Sequence, residues 1–313
     1  MFDIVGRRGW WYLVSTVLLA PGVVALLTGG LKPGIDFTGG TLLQVRVAAE
    51  TTQEDVTSAA QGAGFPEAVV QMAGESDALL RVRAIDIDEK DDLLSGLGAA
   101  TGPVEELGFS AIGPVVGEEL TRAAVIAVAV ASGLILLYVT WAFRGMQHSF
   151  RYGVAAIVAL LHDALFVLGV FAILGHALNV QIDALFVTAL LTVIGFSVND
   201  SIVVFDRIRE TNRDYVHLDD HERPGIASII NHSANQSLTR SLNTSFTALL
   251  VLLALLLLGG PTIRDFVLAL SLGFAIGTYS SIFNAACLVA SWENRDIPRL
   301  WRRVFPWRRA STA

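Results

Sequence analysis

Six membrane-spanning α-helices, with an α+β domain inserted after the first, form the fold class this sequence predicts. Three observations carry that expectation. The chain of 313 residues is 53% hydrophobic and only 16% charged, well below the quarter or so of charged residues in soluble domains. Its mean hydropathy is +0.57, and several apolar runs reach the roughly 20 residues that cross a bilayer. One polar stretch, residues 31–120, is long enough for a domain and separates the first run from the rest.

In chain order, Arg7 and Arg8 precede Trp10, Trp11 and Tyr12. A basic flank, an aromatic belt and then an apolar core is the order of a cytoplasmic interface. The first span covers 11–27 and reads as a retained anchor. A cleaved signal would have a shorter apolar region and an Ala-x-Ala-like end, and here Gly29 and Gly30 follow instead. The first unit is therefore 1–30.

Residues 31–120 are rich in Asp and Glu and poor in Arg, the pattern of a translocated, extracytoplasmic segment. The alternation in 41–47 predicts a strand, and Val56, Ala59, Ala60 and Ala63 at helical spacing predict a helix over 52–64. Residues 67–72 and 79–83 read as short strands around a turn at 74–77. A helix over 88–100 and a last strand over 104–112 complete the order β-α-β-β-α-β. That is the split βαβ, ferredoxin-like arrangement.

Five further spans follow, at 121–143, 152–174, 182–205, 242–258 and 266–290, in a unit running over 121–292. The basic links, including 206–240, and the basic tail 293–313 fall on the side of the N-terminus, with Arg264 the outer exception. By the positive-inside rule both termini are cytosolic.

The run LLTVIGFSVNDSIVVFDRIRE over 190–210 holds the main chemical candidate. Asp200 stands about six residues before the charged end of its helix, roughly 9 Å into the membrane. A carboxylate there is costly in lipid and faces protein or water. Arg240, at the cytosolic start of the fifth span, is the natural counter-charge. Two readings stay open: a fixed ion pair that locks helices, or a protonatable acid with a movable partner, a proton relay. Ser197, Asp200, Ser201, Val204 and Arg207 lie near one helical stripe by their three- and four-residue spacing, and Asn199 lies beside it. His162 and Asp163, midway in the third span, are either polar helix contacts or a secondary relay. Successive helix residues point about 100° apart, so the two need not touch. Gly273 and Gly277 allow close helix packing.

Several classes are excluded. The single Cys287 rules out a disulfide framework and a cysteine zinc site. No G-x-x-x-x-G-K-S/T sequence is present, so the chain carries no Walker loop. Asp219, Asp220, His221 and Glu222 read as a solvated run rather than a metal site. No cofactor, nucleic-acid partner or enzymatic activity is expected, and an ion gradient would supply the energy.

The residues also carry a resemblance. GIDFTGG at 34–40, IGFSVNDSIVVFDRIRE at 194–210, LTRSLNTS at 238–245, GGPTIRDFVLALSLGFAIGTYSSIF at 259–283, LLHD at 160–163 and FDIVGRR at 2–8 are similar to the SecF motifs of the SecD/SecF family. The resemblance runs in order through essentially the whole chain. It implies a protein-export subunit of the resistance-nodulation-division superfamily, acting with SecD beside the SecYEG channel on translocating preproteins, in the cytoplasmic membrane, driven by the proton motive force. Sodium would serve the same acid. By motif, Asp200 is the intramembrane acid and Arg240 its partner, and Gly34, Asp36, Gly39 and Gly40 form the junction with the outer domain. Asn243, where the family has an apolar residue, and the strongly acidic outer domain depart from the pattern. The rival readings are a small-molecule efflux transporter and a non-transporting scaffold. A single outer domain leaves little material for an efflux cavity.

Overall fold

The computed structural model describes residues 1–294, except 75, 147, 216, 219 and 220. Most of the basic tail, 295–313, lies outside the described residues, as do Asp219 and Asp220 of the acidic link. Six helices are long and apolar enough to cross a membrane, and the protein is a helical polytopic membrane protein.

The first is α1 (Arg8–Thr28). A one-turn helix, α2 (Ile35–Thr38), follows and leads into β1 (Gly40–Arg46). Next come α3 (Gln53–Gly62), β2 (Val69–Met72), β3 (Asp77–Val82), α4 (Ile87–Thr101) and β4 (Glu105–Ile112). The four strands form one antiparallel sheet in the order β2-β3-β1-β4, with Leu43 opposite Leu80 and Phe109. Helices α3 and α4 begin at capping boxes, Thr52 with Asp55 and Asp86 with Glu89, which satisfy backbone donors that a helix start leaves free. The hydrogen bonds from Thr52 hold the Asp55 carboxyl below its ordinary range. The two helices bury Val56, Ala60, Leu93 and Leu97 against Leu43, Val45 and Leu80.

The later helices are α5 (Pro114–Ala142), α6 (Ser149–Leu178), α7 (Ala184–Asp214) and α8 (Ile226–Leu258). The last span is α9 (Pro261–Tyr279), a π-helical turn (Ser280–Ala285) and α10 (Ala286–Glu293) in continuous succession. The best-buried spans are α6, α7 and the last one. Around them pack α1 and α5 on α6, and α8 on α7 and α9. Small residues set the closest crossings. A Cβ on Gly22 of α1 would stand 2.7 Å from Gly169 Cα of α6.

Two helices outrun their apolar stretches. Hydropathy ends α7 near 205 and starts α8 near 242, yet both continue well into the polar link, leaving only 215–225 outside them. The extra turns hold each other through side chains. Ser233 Oγ bonds Thr211 Oγ1 at 3.0 Å, Arg207 Nε donates to Gln236 Oε1 at 2.6 Å, and Arg223 Nη2 donates to Asn212 Oδ1 at 2.9 Å. Tertiary contacts, rather than apolar composition, support these turns.

Candidate functional site

Two carboxylates lie inside the bundle on neighbouring helices. Asp163 of α6 is fully buried, and Asp200 of α7 is 6% exposed. A buried charge needs donors around it, and here hydroxyls supply them. Ser197 of α7 and Ser280 of the π turn donate to Asp163 Oδ2 at 2.5 and 2.6 Å. Ser241 of α8 donates to Asp200 Oδ1 at 2.6 Å, and Ser281 of the π turn donates to Asp200 Oδ2. Each carboxylate thus has two serine hydroxyls against it.

His162 touches its neighbour, a contact that helix angles left open. Its Nδ1 lies 2.9 Å from Asp163 Oδ1, because the imidazole is long enough to swing round the helix. Its Nε2 is buried without a hydrogen-bond partner among the described residues.

Asp200 meets Ser241 rather than Arg240. One residue earlier on α8, Arg240 is exposed and turns to a groove of about 250 Å³, shared with Val203, Asp206, Arg207 and Glu210. Asn199 is also exposed, on a different face of α7 from the buried Asp200. The structure thus brings Asp163, His162 and Asp200 into one polar centre and leaves Arg240 and Asn199 at its margin.

The glycine motif sits at the other end of α7. Gly34 N donates to Ile182 O at 2.7 Å, and Ile182 N donates to Lys32 O at 2.9 Å, so residues 32–34 pair with the link before α7. Asp36 Oδ2 accepts from Ala184 N at 2.7 Å. Asp183, the N-cap, accepts from Phe186 N at 2.8 Å. Two carboxylates therefore cap the helix that carries Asp200, where the helix dipole favours negative charge. Gly39 and Gly40 have φ of 72° and 134°, a backbone that favours glycine. A Cβ on Gly40 would stand 2.7 Å from Val82 O. The motif is a tight connection between sheet and bundle. Above it, burial pulls the Arg81 guanidinium down from its ordinary range, opposed by the charges of Asp265, Asp183 and Asp36.

Ser197, Ser201 and Ser281 stand out in the sequence, but Ser241 and Ser280 are what sequence reasoning missed. A signal was present: Ser233, Ser237, Ser241 and Ser245 recur every fourth residue on α8, and all four are buried. Such a stripe faces protein interior in a spanning helix. Gly277 also belongs to the centre, since a Cβ there would lie 3.6 Å from Asp163 Oδ2.

Comparison with known proteins shows the family. Residues 96–295 match the family model "Protein export membrane protein SecD/SecF, C-terminal", and residues 24–50 match the "SecD/SecF GG Motif". The protein translocase subunit SecF of Thermobaculum terrenum is 48% identical, with 98% of each chain covered. The protein translocase subunit SecF of Anaerolinea thermophila is 40% identical, with 97% of each covered. The crystal structure of SecDF from Thermus thermophilus, described as a translocon-associated membrane protein, is 38% identical with a TM-score of 0.82. It matches 94% of this chain, which spans 39% of that longer one.

Proposed function

Because the chain belongs to the SecD/SecF family of protein-export membrane proteins, we propose that it works as the SecF half of a proton-driven unit completing preprotein export. The observation that carries this reading is Asp200, a carboxylate inside a bilayer-spanning helix, held by the hydroxyls of Ser241 and Ser281 and, among the described residues, by no cation. Such a group can be charged and neutral in turn, which a relay requires. Protonation would halve the strength of its hydrogen bonds and free α7 to shift against α8 and the π turn. Arg240, in its groove next to Ser241, would approach or leave the carboxylate during the cycle, and Asp163 with His162 would be the secondary proton site.

The reading extends to the outer domain. The order β-α-β-β-α-β and the sheet order β2-β3-β1-β4 support a ferredoxin-like domain over 31–120. Its Arg-poor composition supports an extracytoplasmic location in the cytoplasmic membrane, with both termini cytosolic. Gly34 to Gly40 tie the domain to the outer end of α7 through Asp36, so movement of α7 would tilt it. The edges of the sheet would hold an emerging preprotein by strand addition.

A partner follows from the surface of the bundle. On α7, Thr188, Thr192, Gly195 and Asn199 are exposed; on α8, Gln236, Arg240, Asn243 and Thr247 are exposed. Each set keeps one face by helical spacing. Polar faces at membrane depth border protein or water. We assign this face to SecD, with the twelve-helix assembly standing beside SecYEG. Neither catalysis nor a bound cofactor enters this scheme.

The test is export of a secretory precursor in a host depleted of this chain and supplied with wild type or Asp200→Asn. Membrane level and SecD co-purification are measured in both. Wild type is expected to restore export, and the Asn form to insert and assemble yet leave export impaired. Full export with Asp200→Asn would make the subunit a scaffold.

A further inference from the structure

Ser280 and Ser281 are neighbours in sequence, yet they reach carboxylates on two different helices. Ser280 holds Asp163 of α6, and Ser281 holds Asp200 of α7. They open the six-residue π turn, Ser280–Ala285, in an otherwise α-helical span. Widened turns of this kind are rare and unfavourable in isolation, and they occur often at functional sites. They persist only where surrounding contacts hold them. Here two charge-assisted hydrogen bonds supply that hold, at the first two residues of the turn.

We propose that Ser280 and Ser281 are positioning residues that join Asp163 and Asp200 into one switch, with the π turn as the element that moves. While both carboxylates are charged, both hydroxyls are engaged and the turn stays wide. When either carboxylate takes a proton, its serine contact weakens and the turn relaxes toward α-helix. Relaxation rotates everything beyond residue 285 relative to α6 and α7. Among the described residues, His162 on α6 and Tyr279 on α9 are the titratable groups beside this switch, while Arg240 on α8 and Arg207 toward the end of α7 line the exposed groove. The Tyr279 ring lies 6.3 Å from His162, and Tyr279 Oη donates to Trp11 O of α1 at 2.7 Å. Cys287, the thiol of α10, is the next titratable group beyond the turn.

The inference rests on the reading of Asp200 as the proton-binding residue, and it carries its own reporter. Cys287 is the sole cysteine of the chain, two residues past the turn and fully buried, with its sulfur 3.7 Å from Ile4 O. Rotation of α10 changes its access to reagent. The experiment is N-ethylmaleimide labelling of Cys287 in membrane vesicles holding the full chain co-expressed with SecD, normalised to labelling in denaturant.

Asp200→Asn, Asp163→Asn and Ser281→Ala should each raise the rate about tenfold, the effect of losing one hydrogen bond to a charged group. Ser281→Thr, which keeps the hydroxyl, should label like wild type. Ser241→Ala removes the other donor to Asp200 without touching the π turn, and should raise the rate clearly less than Ser281→Ala does. Combining Asp200→Asn with Ser281→Ala should add nothing to either alone, since both break the same contact. Unchanged labelling in Asp200→Asn, or equal exposure in Ser241→Ala and Ser281→Ala, would overturn the switch. Its failure is distinct from failure of the relay reading. An Asp200→Asn protein that is export-deficient but keeps Cys287 protected leaves the relay without the switch. One that exports normally with Cys287 exposed leaves the switch without the relay.

Discussion

Asp36 carries more of the architecture than its place in a glycine-rich motif suggests. Its carboxylate accepts from the first backbone amide of α7 at 2.7 Å, where the helix start leaves donors free. Asp36→Ala should therefore cost about 1–2 kcal/mol, the usual loss for a helix cap. Asp36→Asn, which keeps an acceptor oxygen, should cost only a fraction of that. Thermal unfolding of the two variants in detergent checks the difference, and equal losses would show that the carboxylate does not act as a cap. The same scale shows where reading from sequence stops. The acid at 200 stands out because charge is rare in apolar runs. The fact that hydroxyls hold it does not, because serine is common in packed spanning helices. Only the structure distinguishes Ser241 and Ser281, which meet Asp200, from Ser201, whose buried hydroxyl has no hydrogen-bond partner among the described residues.

At the scale of elements, α9 lies against α7 because Gly273 and Gly277 leave room. A Cβ on Gly273 would stand 2.0 Å from Val193 Cγ2, whereas one on Gly277 would keep ordinary contact distances of about 3.5 Å. Gly273→Ala should thus cost about 1–3 kcal/mol through overpacking, with Gly277→Ala clearly milder. Thermal melts of both variants read the order, and a reversed order would contradict the crossing described here. The periodicity of small residues made this packing legible in advance. The length of α7 and α8 beyond the bilayer was not, since hydropathy reports the solvent around a helix and not the contacts that extend it. The π turn left no sequence signal either. It arises where two serines must reach two helices at once.

At the scale of the whole molecule, two kinds of outer face coexist. The surface of α5 is apolar, with Val130, Leu134 and Leu137 more than half exposed, and suits lipid. The α7–α8 face shows Asn199, Arg240 and Asn243, and suits protein. A photo-crosslinking residue in place of Asn243 should capture SecD in membranes, and one in place of Leu134 should not. Capture from position 134 alone would move the interface to α5. Asn243 then ceases to be an oddity among apolar neighbours, because it stands in line with Gln236, Arg240 and Thr247.

The sequence by itself determined the number of spans, the presence of one acidic inserted α+β unit, the family and the buried acid at 200. These follow from composition, periodicity and local motifs, properties that each segment carries alone. The tertiary structure decided what surrounds that acid. It replaced Arg240 by Ser241 and Ser281, joined Asp163 and His162 to the same centre, and tied the glycine motif to the start of α7 through Asp36. Those are contacts between residues 41, 81, 117 and 148 positions apart. Only the packing of whole helices, under the need to give every buried charge its donors, selects such partners.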